Sequence, residues 1–341
     1  MKLLQNPLVR IVLLLTVVFS VTMTAFWVTK RKTIPTKLPP SSVFEGSAPR
    51  DIAFPPITPA SARVGDVTFS VVLPQRDLPS SVDRYTAIPS NILPIARRVA
   101  ASLGFEGEPQ LLQGASTNYL WLNEAATFTA EGSPPTLSLT QDVPPGQAPA
   151  QETAEVVIRE FLTRHNLLPG EAVSLSVPLV VWLTQQESNI VPVAGPQTAT
   201  VVGITFTYVV GGLPLFQQAG TDLGVSAVVG SGGMINSLAV AVPPAVQKTG
   251  VVQLLSIDEA IKKLKAGEGS FVGIDKTTGS FEPVIDVSFS AATITEVSLG
   301  FVFVPDGQML SPVYVFSGKV TEGSVDARGA DIVYFVPAAK N

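Results

Sequence analysis

Apolar residues recur along this chain with two periods, and one uninterrupted run stands apart from both. Ile11–Val28, IVLLLTVVFSVTMTAFWV, holds 18 residues without a charge. At about 1.5 Å per residue that is long enough for a helix to cross the hydrocarbon core of a bilayer. Phe26 and Trp27 end the run, where aromatic rings favour the membrane–water interface. The alternative is a cleaved signal peptide. The run is long for one and no small-x-small site closely follows, so a retained single-pass anchor is expected. The helical period appears three more times. Ile92, Ile95, Val99 and Leu103 share one face, with Gly104 placed to stop that helix. Between Glu152 and His165, the residues Ala154, Val157, Ile158, Phe161 and Leu162 form an apolar stripe. Glu152 and Glu155 start that helix and Arg159 and Arg164 end it, as the helix dipole favours. Over Ser256–Lys265, Ser256 and Glu259 have the spacing of a capping box, and Asp258/Lys262 and Glu259/Lys263 stand one turn apart.

Period two dominates the rest. YLWLNEAATFTA, AVSLSVPLVVWLTQ, ATVVGITFTYVV, GVSAVVGSGGMINSLAVAV, EPVIDVSFSAATITEVSLGFVFV, SPVYVFSGKV and DIVYFVPA are rich in β-branched and aromatic residues, the composition of strands. Val202, Ile204, Phe206 and Tyr208 alternate with Val201, Gly203, Thr205 and Thr207. GSGG at 230–233 is expected to turn a hairpin. Pro clusters punctuate the pattern at 33–60, a semi-rigid stalk, and at 132–150, a break between folded units. The expected class is α+β: a membrane anchor at 1–32 (span about 11–28), a Pro-rich linker at 33–60, a first α+β unit at 61–150 and a second at 151–341. Each unit is expected to pack a helix on antiparallel sheet.

Composition narrows the chemistry. The chain is 46% hydrophobic and only 14% charged, with no Cys and one His. Missing Cys excludes disulfides, Cys-ligated metal, a thiol nucleophile and lipoprotein processing. Of the 22 basic residues, Lys2, Arg10, Lys30, Arg31, Lys32 and Lys37 lie in 1–37, where there is no acid, leaving 16 against 27 acidic residues beyond. An acidic remainder argues against nucleic acid as a partner. The four cations following the run oppose an outside C-terminal domain under the positive-inside rule. The Cys-free, Thr/Ser/Val/Pro-rich chain and its Pro-rich spacer favour one, and long domains translocate largely regardless of such counts. The expected location is the cell membrane, single-pass, with the C-terminal domain extracytoplasmic.

Candidate reactive residues each have a structural explanation. His165 ends a helix, where the dipole favours it, with no Ser or Asp pattern nearby. Ser231 in GSGG lacks the G-x-S-x-G elbow. Asp258, Glu259 and Glu268 fit solvated surface charges. Asp275, Glu282 and Asp286 lack EF-hand spacing. Trp121 and Trp182 sit in strand patterns and suit packing, and GGLPLF at 211–216 suits a turn. No catalytic, cofactor-binding or metal-binding residue is assigned, and no cofactor is expected.

Gly212-Leu213-Pro214-Leu215-Phe216, the hairpin that follows, Leu255-Ser256-Ile257-Asp258-Glu259-Ala260, Pro312-Val313-Tyr314-Val315-Phe316 and Val336-Pro337-Ala338 occur in that order. Over residues 200–340 this order resembles PepSY-related extracytoplasmic modules, including the YycH/YycI-type regulators of a sensor histidine kinase. The resemblance implies a membrane-tethered regulatory module that is not an enzyme. Its partners would be the bilayer, through residues 11–28, and another envelope or membrane protein, with helix 256–265 and strand Pro312–Phe316 as the region that matters. An envelope hydrolase with a His-independent Ser/Lys site and a passive structural surface protein are the alternatives.

Overall fold

In the computed structural model, Val202, Ile204, Phe206 and Tyr208 are buried while Gly203, Thr205 and Thr207 are half-buried. The alternation read from sequence thus becomes a two-faced strand. The structure describes residues 67–340 apart from 75–76, 89, 113–117, 133–134, 145, 169, 187–188, 218–222, 276–287, 305–307 and 325–326. The expected anchor at 11–28 and linker at 33–60 lie outside the described residues. Among those described, no helix is long and apolar enough to cross a membrane.

β1 (Thr68–Val71) and β2 (Ser81–Ile88) precede α1 (Ile92–Ser102). β3 (Gln110–Leu112), β4 (Asn118–Leu122), β5 (Ala126–Gly132) and β6 (Pro135–Gln141) lead to α2 (Gln151–Arg164). Next come β7 (Val173–Leu175), β8 (Leu179–Gln186), β9 (Asn189–Pro192), β10 (Val201–Val210), β11 (Leu213–Gln217), β12 (Gly224–Val229), β13 (Ile235–Ala241) and β14 (Ala245–Gln253). α3 (Ile257–Lys265), β15 (Ser270–Asp275), β16 (Phe289–Val304), β17 (Met309–Gly323) and β18 (Asp331–Pro337) follow.

Antiparallel pairing runs β3–β4–β5–β6–β13–β12–β10–β8–β9. The last residues of β10 leave this ladder for β7 and β11, and β11 then runs parallel to β16. β16, β17, β18 and β15 form a second antiparallel ladder. β1 lies parallel on the start of β16, and the β2–β14 pair joins at Thr86–Met309. All 18 strands among the described residues are linked in one mixed sheet.

This corrects the expected α+β class of tandem helix-on-antiparallel-sheet units. Strand makes up 55% of the described residues and helix 16%, and the pairing crosses the division expected at residue 150. Leu137 and Leu139 of β6 lie opposite Val240 and Leu238 of β13, so strands from either side of residue 150 complete one ladder. The Pro-rich stretch at 132–150 is not simply a break, because it contains β6. Pro135 takes the first position of that strand, where a missing N–H is tolerated, and TLSLT alternates behind it. Periodicity tells which face a residue takes, whereas long-range packing chooses the strand it pairs with.

The three helices start and stop within a residue or two of expectation. Ala96 and Val99 of α1 and Ala154, Ile158 and Leu162 of α2 are buried in one core with Phe128, Leu139, Phe206 and Leu238. Ala260 and Leu264 of α3 are buried with Tyr314, Phe316 and Val336 on the second ladder.

Candidate functional site

The structure does bring α3 and Pro312–Phe316 together, but as a closed joint. Ser256 Oγ accepts from Glu259 N–H at 3.2 Å, and a Glu259 carboxylate oxygen accepts from Ser256 N–H at 2.8 Å. These bonds from Ser256 hold the Glu259 carboxyl below the usual range. Tyr314 Oη donates to the Leu255 carbonyl at 2.5 Å, and Leu255 N–H donates to Ala338 at 2.8 Å. Lys263 meets Glu268 at 3.3 Å instead of Glu259, whose carboxylate is turned back onto the cap. Each of these polar groups has a partner within the fold.

The C-terminal ends of α1 and α2 meet differently. His165 caps α2 and is only 6% exposed. Its ring lies 4.3 Å from that of Phe161, and its Nδ1 is 2.7 Å from Ser102 Oγ at the end of α1. Ser102 also donates to the Val99 carbonyl at 2.7 Å. A hydroxyl has one proton, so Nδ1 must supply the hydrogen to Ser102, leaving Nε2 as the basic atom. Burial, reinforced by Arg164 and Arg98, lowers the imidazole from its ordinary value of 6.5. Arg98 also donates to the His165 carbonyl at 3.4 Å.

Beside this junction lies a cleft of about 230 Å³. Leu103, Leu139, Val157, Phe161 and Ile235 give it apolar walls. Glu160 and Arg164 stand at its margin, both exposed and one turn apart on α2. Among the described residues neither is within ion-pair distance of an opposite charge, whereas Glu155 and Arg159 on the same helix pair at 2.9 Å. Gly233 bounds the cleft at a φ of 76°, with its α-carbon facing Val157; a Cβ there would lie 3.3 Å from the Val157 methyl. The glycine therefore keeps both the turn and the opening. The volume is below the roughly 300 Å³ at which small-molecule sites begin. It suits one apolar side chain.

The remaining candidates fall apart spatially. Ser231 starts a short 3₁₀ turn joining β12 to β13, with no helix behind it, so it is a hairpin turn residue. Trp121 is buried against Phe128, and Trp182 packs half-buried on the same core. GGLPLF turns β10 into β11, with Gly211 at a φ of 57° and its α-carbon against Tyr85. Glu282 and Asp286 lie outside the described residues. Among those described, no group of three His, Asp or Glu side chains is close enough to hold a metal ion. Sequence reasoning missed Ser102, Glu160 and Arg164 as a group. The available signal was the Glu160/Arg164 spacing beside the apolar stripe of α2. No protein-family model matches the chain, and no curated protein does.

Proposed function

We propose that this chain is a membrane-tethered, extracytoplasmic binding module that acts by contact with another envelope protein and performs no catalysis. The observation that carries the reading is the cleft beside α2, with apolar walls and two charges at its margin that have no ion-pair partner among the described residues. A partner's apolar side chain would fill the cleft while its charged neighbours meet Glu160 and Arg164, an anchor-and-rim arrangement usual in protein contacts. The apolar run Ile11–Val28 supports the tether, and the order of motifs resembling PepSY-related regulators supports the regulatory role.

The hydrolase alternative needs a neutral lysine as base. Lys248, Lys263 and Lys319 lie 2.8, 3.3 and 3.1 Å from Asp83, Glu268 and Asp331, and the bond to Asp83 raises the Lys248 ammonium further. Such pairs favour the protonated form.

Photo-cross-linkers at positions 156 and 163, exposed on α2 beside Glu160 and Arg164, with position 262 on α3 as control, test the contact in native membranes. A discrete product from α2 alone is expected; equal products from α3 would overturn the reading. Alkaline phosphatase fused after Asn341 is expected to be active. Inactivity would place the domain in the cytoplasm.

A further inference from the structure

His165 is the chain's only histidine, and it is buried where α1 and α2 end together. We propose that it is an acid-sensitive latch on the cleft: the neutral ring seats the two helix ends together in a buried junction, and the charge it gains on protonation drives them apart. The proposal rests on the reading of the cleft as the contact site, whose regulation it describes.

The geometry fixes where the proton goes. Nδ1 already donates to Ser102, so an added proton must take Nε2; the Ser102 bond survives, and the cost of protonation is the buried charge itself. The ring would then carry a charge in a site that is 6% exposed. Of the charged groups acting on it, Arg98 comes from α1 and Arg164 from α2, and both are cationic. Among the described residues, no carboxylate acts on the ring to offset them. The remaining neighbours, Phe161 on the face and Ser102 at the edge, are neutral.

Release would change the cleft directly. Leu103 follows Ser102 at the end of α1, and Phe161 and Arg164 precede His165 on α2. All three line the cleft. Separating the two helix ends moves the walls and one marginal charge together, so acid would alter the contact site as a unit. Near neutrality the ring is uncharged and the walls are held.

The test uses the full chain with labelled histidine, whose single imidazole gives one unambiguous ring signal. It is paired with amide hydrogen exchange, corrected for intrinsic rates, at pH 7.5 and 5. The ring is expected to titrate below 6.5. As it does, residues 98–105 and 161–167 should lose protection together, by about tenfold for each unit of lowering. His165→Gln should retain folding at neutral pH and lose this acid step. Arg98→Gln, which keeps the ring, should move its titration upward. A ring that titrates with protection unchanged, or a His165→Gln chain that keeps the full step, would overturn the latch. Cross-linking from position 163, which leaves Arg164 in place, at both pH values separates the two readings. A persistent product without the acid step defeats the latch alone, and the acid step without any product at either pH defeats the contact alone.

Discussion

The α2 cleft and the α3 joint are each built by a short amphipathic helix on the apolar face of a sheet, yet their polar groups behave oppositely. At α3, Ser256, Glu259, Leu255 and Tyr314 satisfy one another, and Lys263 closes on Glu268. At α2, Glu160 and Arg164 stand one turn apart at the margin of an apolar opening and pair with no other described residue. The contrast separates polar residues that stabilise a fold from those left free for a partner. A capping box is strong sequence evidence for a helix, and for the same reason poor evidence for a site: its groups are already used.

The largest expected effect falls in the α2 region. Phe161→Ala should destabilise the chain by about 3–5 kcal/mol in denaturant unfolding, because it empties a core position and removes the support of His165. Tyr314→Phe should cost about 1–3 kcal/mol, since it leaves the Leu255 carbonyl without its donor, while cross-linking from position 163 is unchanged. Loss of that cross-link would mean the two regions are coupled. Ser256→Ala should cost about 1 kcal/mol by removing the helix cap.

Acid should divide the regions in order. The folded imidazole of His165 is lowered from 6.5, so the unfolded chain binds more protons just below that pH. Its contribution to stability is complete above 6.5 and is lost as pH falls towards the folded value. Glu259 is lowered from 4.5, so its contribution is lost only on further acidification below 4.5. Hydrogen exchange in α1 and α2 should therefore rise at a higher pH than in α3. The reverse order would dissolve the contrast. Smallest in stability are Glu160→Gln and Arg164→Gln, expected within about 0.5 kcal/mol of the parent. Either should nonetheless weaken the partner cross-link, and a large stability loss instead would show that these charges serve the fold.

The three helix positions, the alternation in β10, the GSGG hairpin and the Ser256–Glu259 cap were all legible by eye, because each is decided by residues within one turn or one strand of each other. The fold class was not. Two stretches of helix followed by strands suggest two tandem units, and TLSLT between Pro clusters reads as part of a break between them. In the folded chain that segment is β6, pairing with residues 237–241.

The sequence by itself determined local backbone state and the faces that turn inward, through period, capping and turn chemistry. Only the tertiary structure decided that β6 joins β13, that β1 and β11 run parallel to β16, and that Ser102 meets His165 across 63 residues of chain. Hydrogen-bonding edges of strands are chemically alike, so partner choice rests on the summed packing of distant apolar faces. The free charges of the α2 cleft follow the same rule. Glu160 and Arg164 have a favourable i,i+4 spacing in the sequence, and that they pair with no other described residue is a property of the fold around them.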